Sequence, residues 1–162
     1  MLTAHLPSGY VLARCLPKGI PALMPAALIG AILPDIDMIW FHFVDDRAFH
    51  HHRYWVHVPF FWLVVASVAL PLAWWLGWLR TAFVFFAAIL MHLILDSIGG
   101  GIMWAAPVSD HLFALVTVPP TYGHWVASFI LHWTFLAELG VWGAAILLWV
   151  RRRQSTVSLE GP

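Results

Sequence analysis

Cysteine and charged residues are both scarce in this chain, and each shortage excludes a class of protein. The sequence has a single cysteine, Cys15, so it cannot form an internal disulfide, and it has no C-x-x-C pair for a zinc ribbon or covalent haem attachment. Only 10% of the 162 residues are charged, and the formal net charge is zero. This balance gives no electrostatic basis for binding nucleic acid, and we expect no nucleic-acid partner.

Apolar residues are abundant, and they occur in stretches long enough to cross a bilayer. The chain is 62% hydrophobic and contains eleven tryptophans, many of them near the ends of apolar stretches, where an aromatic belt would lie. A bilayer core needs roughly 20 apolar residues per helix. The predicted spans are residues 20–43, 58–78, 81–98 and 125–150, the first of them broken by prolines. Gly140 and Gly143 predict close helix packing in the last span.

The predicted fold is therefore all-α, an integral membrane bundle of about four transmembrane helices with an N-terminal partial or re-entrant helix in residues 1–19. Residues 1–153 form one membrane-embedded domain, and residues 154–162 are predicted to be a disordered tail. Four crossings place Arg14, Lys18, Arg80 and the arginines at 151–153 on one side, which the positive-inside rule makes cytoplasmic. The C-terminus is then cytoplasmic, and the polar residues gather toward the outer face of the plasma membrane.

Three aspartates lie inside the predicted spans, where charge is costly, and His92 accompanies one of them. His92 and Asp96 are spaced i and i+4, so they share one helix face and can bind one cation. A charged group inside a span costs roughly 2.5–3.5 kcal/mol, which favours a functional role over a simple hydrogen-bonded pair. Asp35 and Asp37 follow Pro34 at a broken helix end, and both can face a divalent ion, although a capping or turn role is the alternative.

The loop before the second span carries further metal-ligand side chains. His50, His51, His52 and His57 supply imidazoles, and Arg53 supplies a guanidinium that matches phosphate or carboxylate oxygens. A run of histidines can also be only a solvated loop, which is the expected role of the first two. The predicted topology brings this loop, the aspartates after Pro34 and the H-x-x-x-D pair to the same depth.

The order of these motifs resembles the YdjM-like family of inner-membrane-associated, metal-dependent hydrolases. The family pattern is an early histidine, then P-D-I-D, H-R-G-x-T-H and H-x-x-x-D, with a glycine-containing segment after it. The matching residues here are His5, Pro34 to Asp37, His52 with Arg53 and His57, and His92 with Asp96. Tyr54 and Val56 replace the family's glycine and threonine. The match covers about two thirds of the chain, and from residue 108 onward the sequence resembles nothing familiar.

The resemblance implies a membrane-bound hydrolase that uses metal-activated water on an ester or phosphoester. Separately, a site at the depth of the membrane interface favours a membrane lipid as the substrate. The resemblance also implies that His5, Asp35, Asp37, His52, His57, His92 and Asp96 are metal ligands. Arg53, Asp37 and His52 are the expected catalytic residues, with Arg53 steadying substrate charge. Zinc is the expected ion, and the aspartates also permit manganese or magnesium. The oligomeric state is not predicted.

Three alternatives to a hydrolase remain open at this level. A non-enzymatic metal-binding or transport protein would use the same ligands, although the second span has no ionisable residue for an ion path. A haem-b protein would use His92 and His132 as axial ligands, although nearby carboxylates fit haem iron poorly. An interaction protein would need a cytoplasmic domain that the sequence does not show. Glu138, His111, His124 and His132 have no predicted role, apart from a possible pairing of Glu138 with His132 or another span.

Overall fold

The computed structural model describes residues 3–157, and all regular structure in that range is helical. No β-strand occurs among these residues; Ile102 and Phe113 form only an isolated antiparallel bridge. The helices are α1 (His5–Cys15), α2 (Leu23–Ile32), α3 (Asp37–Phe43), α4 (Pro59–Trp75), α5 (Leu79–Asp96), α6 (Trp125–Ile130) and α7 (Phe135–Val157). The all-α prediction is confirmed.

Helix α2 lies at the centre of the bundle because small residues allow its neighbours to approach closely. Helix α1 packs against one side of α2 and also contacts α5 and α7, while α5 packs between α2 and α4. A Cβ atom at Gly9 would lie 2.7 Å from the carbonyl oxygen of Ala27, and one at Gly30 would overlap the carbonyl oxygen of Phe85. Such small-residue contacts replace the hydrophobic effect as the basis of helix packing in lipid.

The predicted close packing at Gly140 and Gly143 is wrong for the part of the chain that the structure describes. A Cβ atom at either position would meet open space. The close contacts lie instead at Gly9, where α1 meets α2, and at Gly30, where α2 meets α5.

Gly30→Ala should therefore destabilise the bundle, whereas Gly143→Ala should not. The added methyl group of the first variant meets backbone of α5, which cannot move aside as a flexible side chain could. Overpacking of this kind costs about 1–3 kcal/mol. Thermal unfolding in detergent measures the difference, and equal melting temperatures for the two variants would contradict the packing described here.

Among the described residues, fewer helices than the four predicted are long and apolar enough to qualify as candidate membrane spans. Two stretches in the described residues are long and apolar enough, Leu23–Phe43 with 21 residues and Leu79–Asp96 with 18. The second predicted span forms α4, which has only 17 residues because Gly77 adopts a left-handed conformation (φ +78°) and ends the helix. Proline at the first position starts this helix without losing a hydrogen bond.

The fourth predicted span, residues 125–150, is not one continuous helix. It is divided into α6 and α7 by a break at residues 131–134. At the break the hydroxyl of Thr134 lies 2.9 Å from Nδ1 of His132, and its backbone N–H also donates to that nitrogen. Local side-chain hydrogen bonds of this kind compete with the backbone hydrogen bonds of a helix. The hydrophobic pattern of the sequence does not reveal them. Helix α7 then continues to Val157, into the predicted disordered tail; residues 158–162 of that tail lie outside the described range.

The N-terminal segment forms the short helix expected of residues 1–19. Helix α1 ends at Cys15, and the chain turns through Gly19 (φ +95°) into α2, so that the two helices pack side by side. The first predicted span is interrupted as expected, because Pro34 lies in a 3₁₀ turn at Leu33–Ile36 that separates α2 from α3. This turn and the start of α1 lie beside the end of α5.

Candidate metal centre

Six histidine and aspartate side chains from four segments of the chain meet at the end of α5. His5 comes from the first residue of α1 and Asp35 from the turn after α2, while the loop before α4 and the last turn of α5 supply the others. The six residues are His5, Asp35, His52, His57, His92 and Asp96. The distance from Asp35 Oδ1 to His92 Nε2 is only 3.7 Å. The predicted convergence of distant motifs is confirmed in the geometry.

The carboxylate of Asp96 is the centre of this group. Its Oδ1 lies 3.1 Å from Nε2 of His5, and its Oδ2 lies 3.0 Å from Nε2 of His92. Nε2 of His52 and Nε2 of His57 each lie 3.5 Å from the same Oδ2. All five of these side chains are buried. Donor atoms bound to one zinc ion at about 2.0–2.2 Å are separated by similar distances, so the arrangement suits a divalent cation.

Three of the histidines are held by hydrogen bonds on the ring nitrogen that faces away from Asp96. Nδ1 of His92 lies 2.7 Å from the carbonyl oxygen of Ala31, and Nδ1 of His52 lies 2.8 Å from that of Gly101. A carbonyl oxygen only accepts, so each Nδ1 carries a proton, and Nε2 is the ring nitrogen left to bind a cation. Metal-ligating histidines have this arrangement in proteins generally, because the outer partner sets the tautomer and the ring orientation.

Asp37 orients a ligand instead of joining the group around Asp96. Its Oδ2 lies 2.7 Å from Nδ1 of His57, on the opposite side of the ring from the Nε2 that faces Asp96. Asp37 therefore lies outside the group around Asp96, but with His51 and His57 it forms a separate group of possible metal donors, so its predicted role as a ligand stays a prediction. The 3₁₀ turn directs the carboxylates of Asp35 and Asp37 to opposite sides of His57. The predicted catalytic role of Asp37 also stays a prediction.

Asp37→Asn should weaken metal binding without removing a residue of the inner group. The amide cannot match the negative charge that supports the Nδ1–H of His57, and loss of such a partner typically lowers metal affinity about 10–100-fold. Asp45→Asn is the matched control, because Asp45 accepts a hydrogen bond from the Tyr54 hydroxyl instead. Competition with a chromophoric chelator measures both affinities. Equal affinities would show that Asp37 does not support the centre.

His52 and His57 differ in protonation, although both are buried in the loop before α4. Burial lowers the pKa of His52 to about 2, so its ring is neutral and ready to bind a cation. Burial also lowers the pKa of His57, but its hydrogen bonds to Asp37 and Asp96 outweigh this and raise the pKa to about 9. A cation that binds Nε2 of His57 at neutral pH must therefore displace a proton.

Metal binding should consequently become tighter as the pH rises from 7 to about 9. His57 is protonated in the metal-free protein below its raised pKa, so protons and metal compete there, and the competition ends above about 9. Calorimetry at pH 7 in buffers of different ionisation enthalpy should detect release of about one proton per binding event. Affinity that is independent of pH over this interval would contradict the assignment.

A cavity of about 590 Å³ opens onto the cluster and has two kinds of wall. Asp35, His52 and Asp96 lie on the polar side, together with His50 and His51. The apolar side is formed largely by residues that the motif pattern did not reach: Met38, Val118, Pro119, Pro120, Trp125 and Phe129. His50 and His51, expected to be only solvated, therefore border the cavity. The H-H-H-R run was the feature of the sequence that could have indicated a role for these two histidines.

Arg53 and several other polar residues lie apart from the cluster. The Arg53 guanidinium does not border this cavity, and its Nη1 lies 3.9 Å from Oδ2 of the exposed Asp110, so the structure does not support its predicted substrate contact. His111 is exposed, and His124 caps α6 by accepting from the backbone N–H of Val126. Tyr54 occupies the position of the family's glycine, and its hydroxyl donates a hydrogen bond to the carboxylate of Asp45.

Glu138 is fully buried but does not pair with His132. Its Oε2 accepts hydrogen bonds from the backbone N–H of Thr3 at 2.9 Å and from the Thr3 hydroxyl at 2.6 Å. The expected pairing with His132 fails because the break after α6 directs that histidine to Thr134. Glu138 instead connects α7 to the residues just before α1.

The fold and the cluster together define an α-helical membrane protein with a buried histidine–aspartate group that could hold a metal ion. Residues 1–157 match the model of the YdjM inner membrane protein family, and the chain belongs to that family. It is also similar to inner membrane protein YbcI of Escherichia coli (strain K12), with 32% identity over 152 residues that cover 82% of this chain and 86% of the relative. No solved structure matches the chain.

Proposed function

We propose that this protein is a membrane-bound, metal-dependent hydrolase that cleaves an ester or phosphoester of a membrane lipid. The observation that carries the proposal is the convergence of three anchored imidazoles on Asp96 at the floor of an open cavity. A purely structural hydrogen-bond network would not need four imidazole nitrogens directed at one carboxylate. A site for a catalytic ion needs both the ligands and an open approach for substrate.

The ion expected here is zinc, because imidazole ligands predominate, and the two inner carboxylates also permit manganese or magnesium. A bound divalent ion supplies a Lewis acid and lowers the pKa of water from 15.7 toward about 7. The protein's own residues supply the rest. Asp37, Ala31 and Gly101 hold the imidazoles in place, and Asp35, which is partly exposed, borders the cavity where substrate would enter.

The position of the cluster along the bundle supports a lipid substrate. Arg80 lies near the start of α5, and Asp96 lies 16 residues further along, about 24 Å away at 1.5 Å per residue. The bilayer core is about 30 Å thick, so the cluster lies near the opposite head-group level when Arg80 lies at the cytoplasmic boundary. The polar and apolar walls of the cavity suit a molecule with a polar linkage and an acyl or prenyl chain.

The distribution of basic residues supports a site toward the outer face. Helices α1 and α7 run in the same direction, because Thr3 contacts Glu138 near their beginnings, while Tyr10 and Trp149 line one groove further along. Arg14 and the arginines of α7 therefore lie at the end of the bundle away from the cluster. The positive-inside rule then makes that end, and the C-terminus, cytoplasmic. In this arrangement α4 and the broken α6–α7 unit complete a bundle of about four crossings.

Hydrolysis by purified protein in mixed micelles tests the proposal. The protein is loaded with zinc or manganese and given phospholipids, polyprenyl phosphates and carboxylic esters, and product release is followed by mass spectrometry. We expect metal-dependent cleavage of at least one class, with loss of more than about 100-fold in His92→Ala, since this variant removes a ligand. The His111→Ala variant, which changes an exposed histidine, is the matched control and should keep full activity.

Two results would overturn the proposal. The first is that the metal-loaded protein leaves every substrate intact, and metal uptake into proteoliposomes would then favour the transport alternative. The second is equal activity of wild type and His92→Ala, which would mean that the cleavage does not depend on this cluster.

A further inference from the structure

We propose that the cluster is a two-ion centre in which the carboxylate of Asp96 is shared, and that the substrate is consequently a phosphoester. The substrate class rests on the proposed function. The number of ions does not, because it follows from how the donor atoms are arranged. These atoms divide into two sets.

The first set consists of His5, Asp35, His92 and Asp96, and the second of His52, His57 and Asp96. Within each set the donor atoms lie within 4.8 Å of one another. Asp96 belongs to both because its Oδ1 lies beside His5, while its Oδ2 lies beside His52 and His57 and also 3.0 Å from His92. A carboxylate with oxygens available to both sets can be shared by two cations.

One ion cannot contact all six residues as they are placed. Two ligands of the same ion are separated by at most two bond lengths, or about 4.2 Å for bonds of about 2.1 Å. No set of described residues that satisfies even the wider limit of 4.8 Å includes both His5 and His52. The first set supplies four donors, which is the number that a four-coordinate ion needs. The second set supplies three donors, which would leave one coordination position of its ion open.

The charges of the cluster also favour two ions over one. Asp35, Asp37 and Asp96 bring three negative charges, and Asp37 and Asp96 are buried. One divalent ion leaves these three carboxylates with an excess charge of −1, whereas two ions leave +1, the sign that suits an anionic substrate. Buried charge needs a partner, and an anionic phosphodiester supplies it where a neutral carboxylic ester does not. Paired ions are also the usual way to stabilise both oxygens of a phosphoester during displacement.

Metal stoichiometry of detergent-purified protein tests the inference directly. Elemental analysis of wild type saturated with zinc should give two ions per chain, against about one in His5→Ala, about one in His52→Ala and two in His111→Ala. Manganese-loaded wild type should show the electron paramagnetic resonance signal of an exchange-coupled pair, and the two site variants should show isolated ions. Circular dichroism verifies that each variant keeps its helices.

The outcomes separate this inference from the proposed function. One ion per chain in wild type, with uncoupled manganese, overturns the two-ion centre even if the protein hydrolyses lipid. Two coupled ions without hydrolysis of any substrate support the centre and overturn the proposed function. Cleavage of carboxylic esters with phosphoesters left intact overturns the substrate class.

A different observation carries a second inference: the contacts of Glu138 point to a positioning role for His5. Helix α1 has no acidic residue in its first turn and no side-chain cap. Glu138 of α7 holds Thr3 through two hydrogen bonds, and Trp142 donates its indole N–H to the Thr3 hydroxyl at 3.1 Å. His5 follows two residues later, so the same contacts determine how far its imidazole reaches toward Asp96.

A double-mutant cycle tests this role, with metal affinity as the measurement. Glu138→Leu should lower affinity about tenfold, and Glu138→Gln, which keeps an acceptor oxygen, should restore it. In a His5→Ala background Glu138→Leu should have no further effect, because the residue on which it acts is gone. An equal loss in both backgrounds, or no loss in either, overturns the positioning role.

Discussion

Asp96→Asn should remove metal from this protein more completely than any other single change. The carboxylate lies within 3.5 Å of four imidazole nitrogens, and no other described side chain contacts as many donors of the cluster. An amide has one oxygen instead of two and no charge, so it can neither bridge nor neutralise cations. We expect affinity to fall by more than about 100-fold, beyond the loss typical of an outer partner. Elemental analysis after purification measures the retained metal.

The fold itself should survive Asp96→Asn. In the metal-free state the change removes one negative charge from a site that also contains Asp35 and Asp37, so the helical signal should be unchanged. Asp110→Asn is the matched control, because that aspartate is exposed and lies outside the cluster. If Asp96→Asn and Asp110→Asn bind as much metal as wild type, the cation does not bind at Asp96.

Gly100→Ala should have the second largest effect, although glycine has no side chain to bind metal. A Cβ atom there would overlap Cε1 of His52 and lie 3.0 Å from its Nδ1. The imidazole would have to move away from the carbonyl oxygen of Gly101, to which Nδ1 is bound, and its Nε2 would leave Asp96. We expect metal affinity to fall about 10–100-fold, measured by chelator competition.

Gly99→Ala provides a closely matched control for this variant. A Cβ atom at Gly99 would lie 3.6 Å from Val118 and 4.0 Å from Phe129, which is ordinary van der Waals contact. The two variants alter neighbouring backbone positions with the same chemical change, so they differ only in what the methyl group meets. If both lose affinity equally, the effect comes from the backbone of this turn and the specific contact with His52 is not required.

The sequence predicted much of the cluster because each motif has a local geometric consequence. An i, i+4 spacing places His92 and Asp96 on one helix face regardless of what surrounds the helix. Because charge inside a membrane span is costly, those two residues were predicted to have a functional role. The resemblance to the family then indicated His5, His52 and His57 as further metal ligands. The expected topology brought the loop before α4 and the end of α5 to one depth, and His5 needed a re-entrant first helix to reach them; in the structure these side chains meet at Asp96.

Other features could not be predicted because they depend on contacts between distant parts of the chain. The separation of Asp35 from Asp37 depends on which side of His57 each carboxylate reaches. Apart from Met38, the apolar wall of the cavity comes from residues after 108, where no motif indicates proximity to the cluster. The break at residues 131–134 depends on side-chain hydrogen bonds, which hydropathy averages over.

The sequence by itself determined that this is a helical membrane protein and which histidines and aspartates are candidate metal ligands, because apolar length and helical spacing act locally. Tertiary structure alone decided which nitrogen of each imidazole faces Asp96. It also decided which carboxylate contacts Nδ1 of His57, on the side of the ring away from Asp96. The physical reason is that a metal site requires donor atoms placed within a few tenths of an ångström. Backbone turns, carbonyl partners and close glycine contacts from several helices provide that precision together.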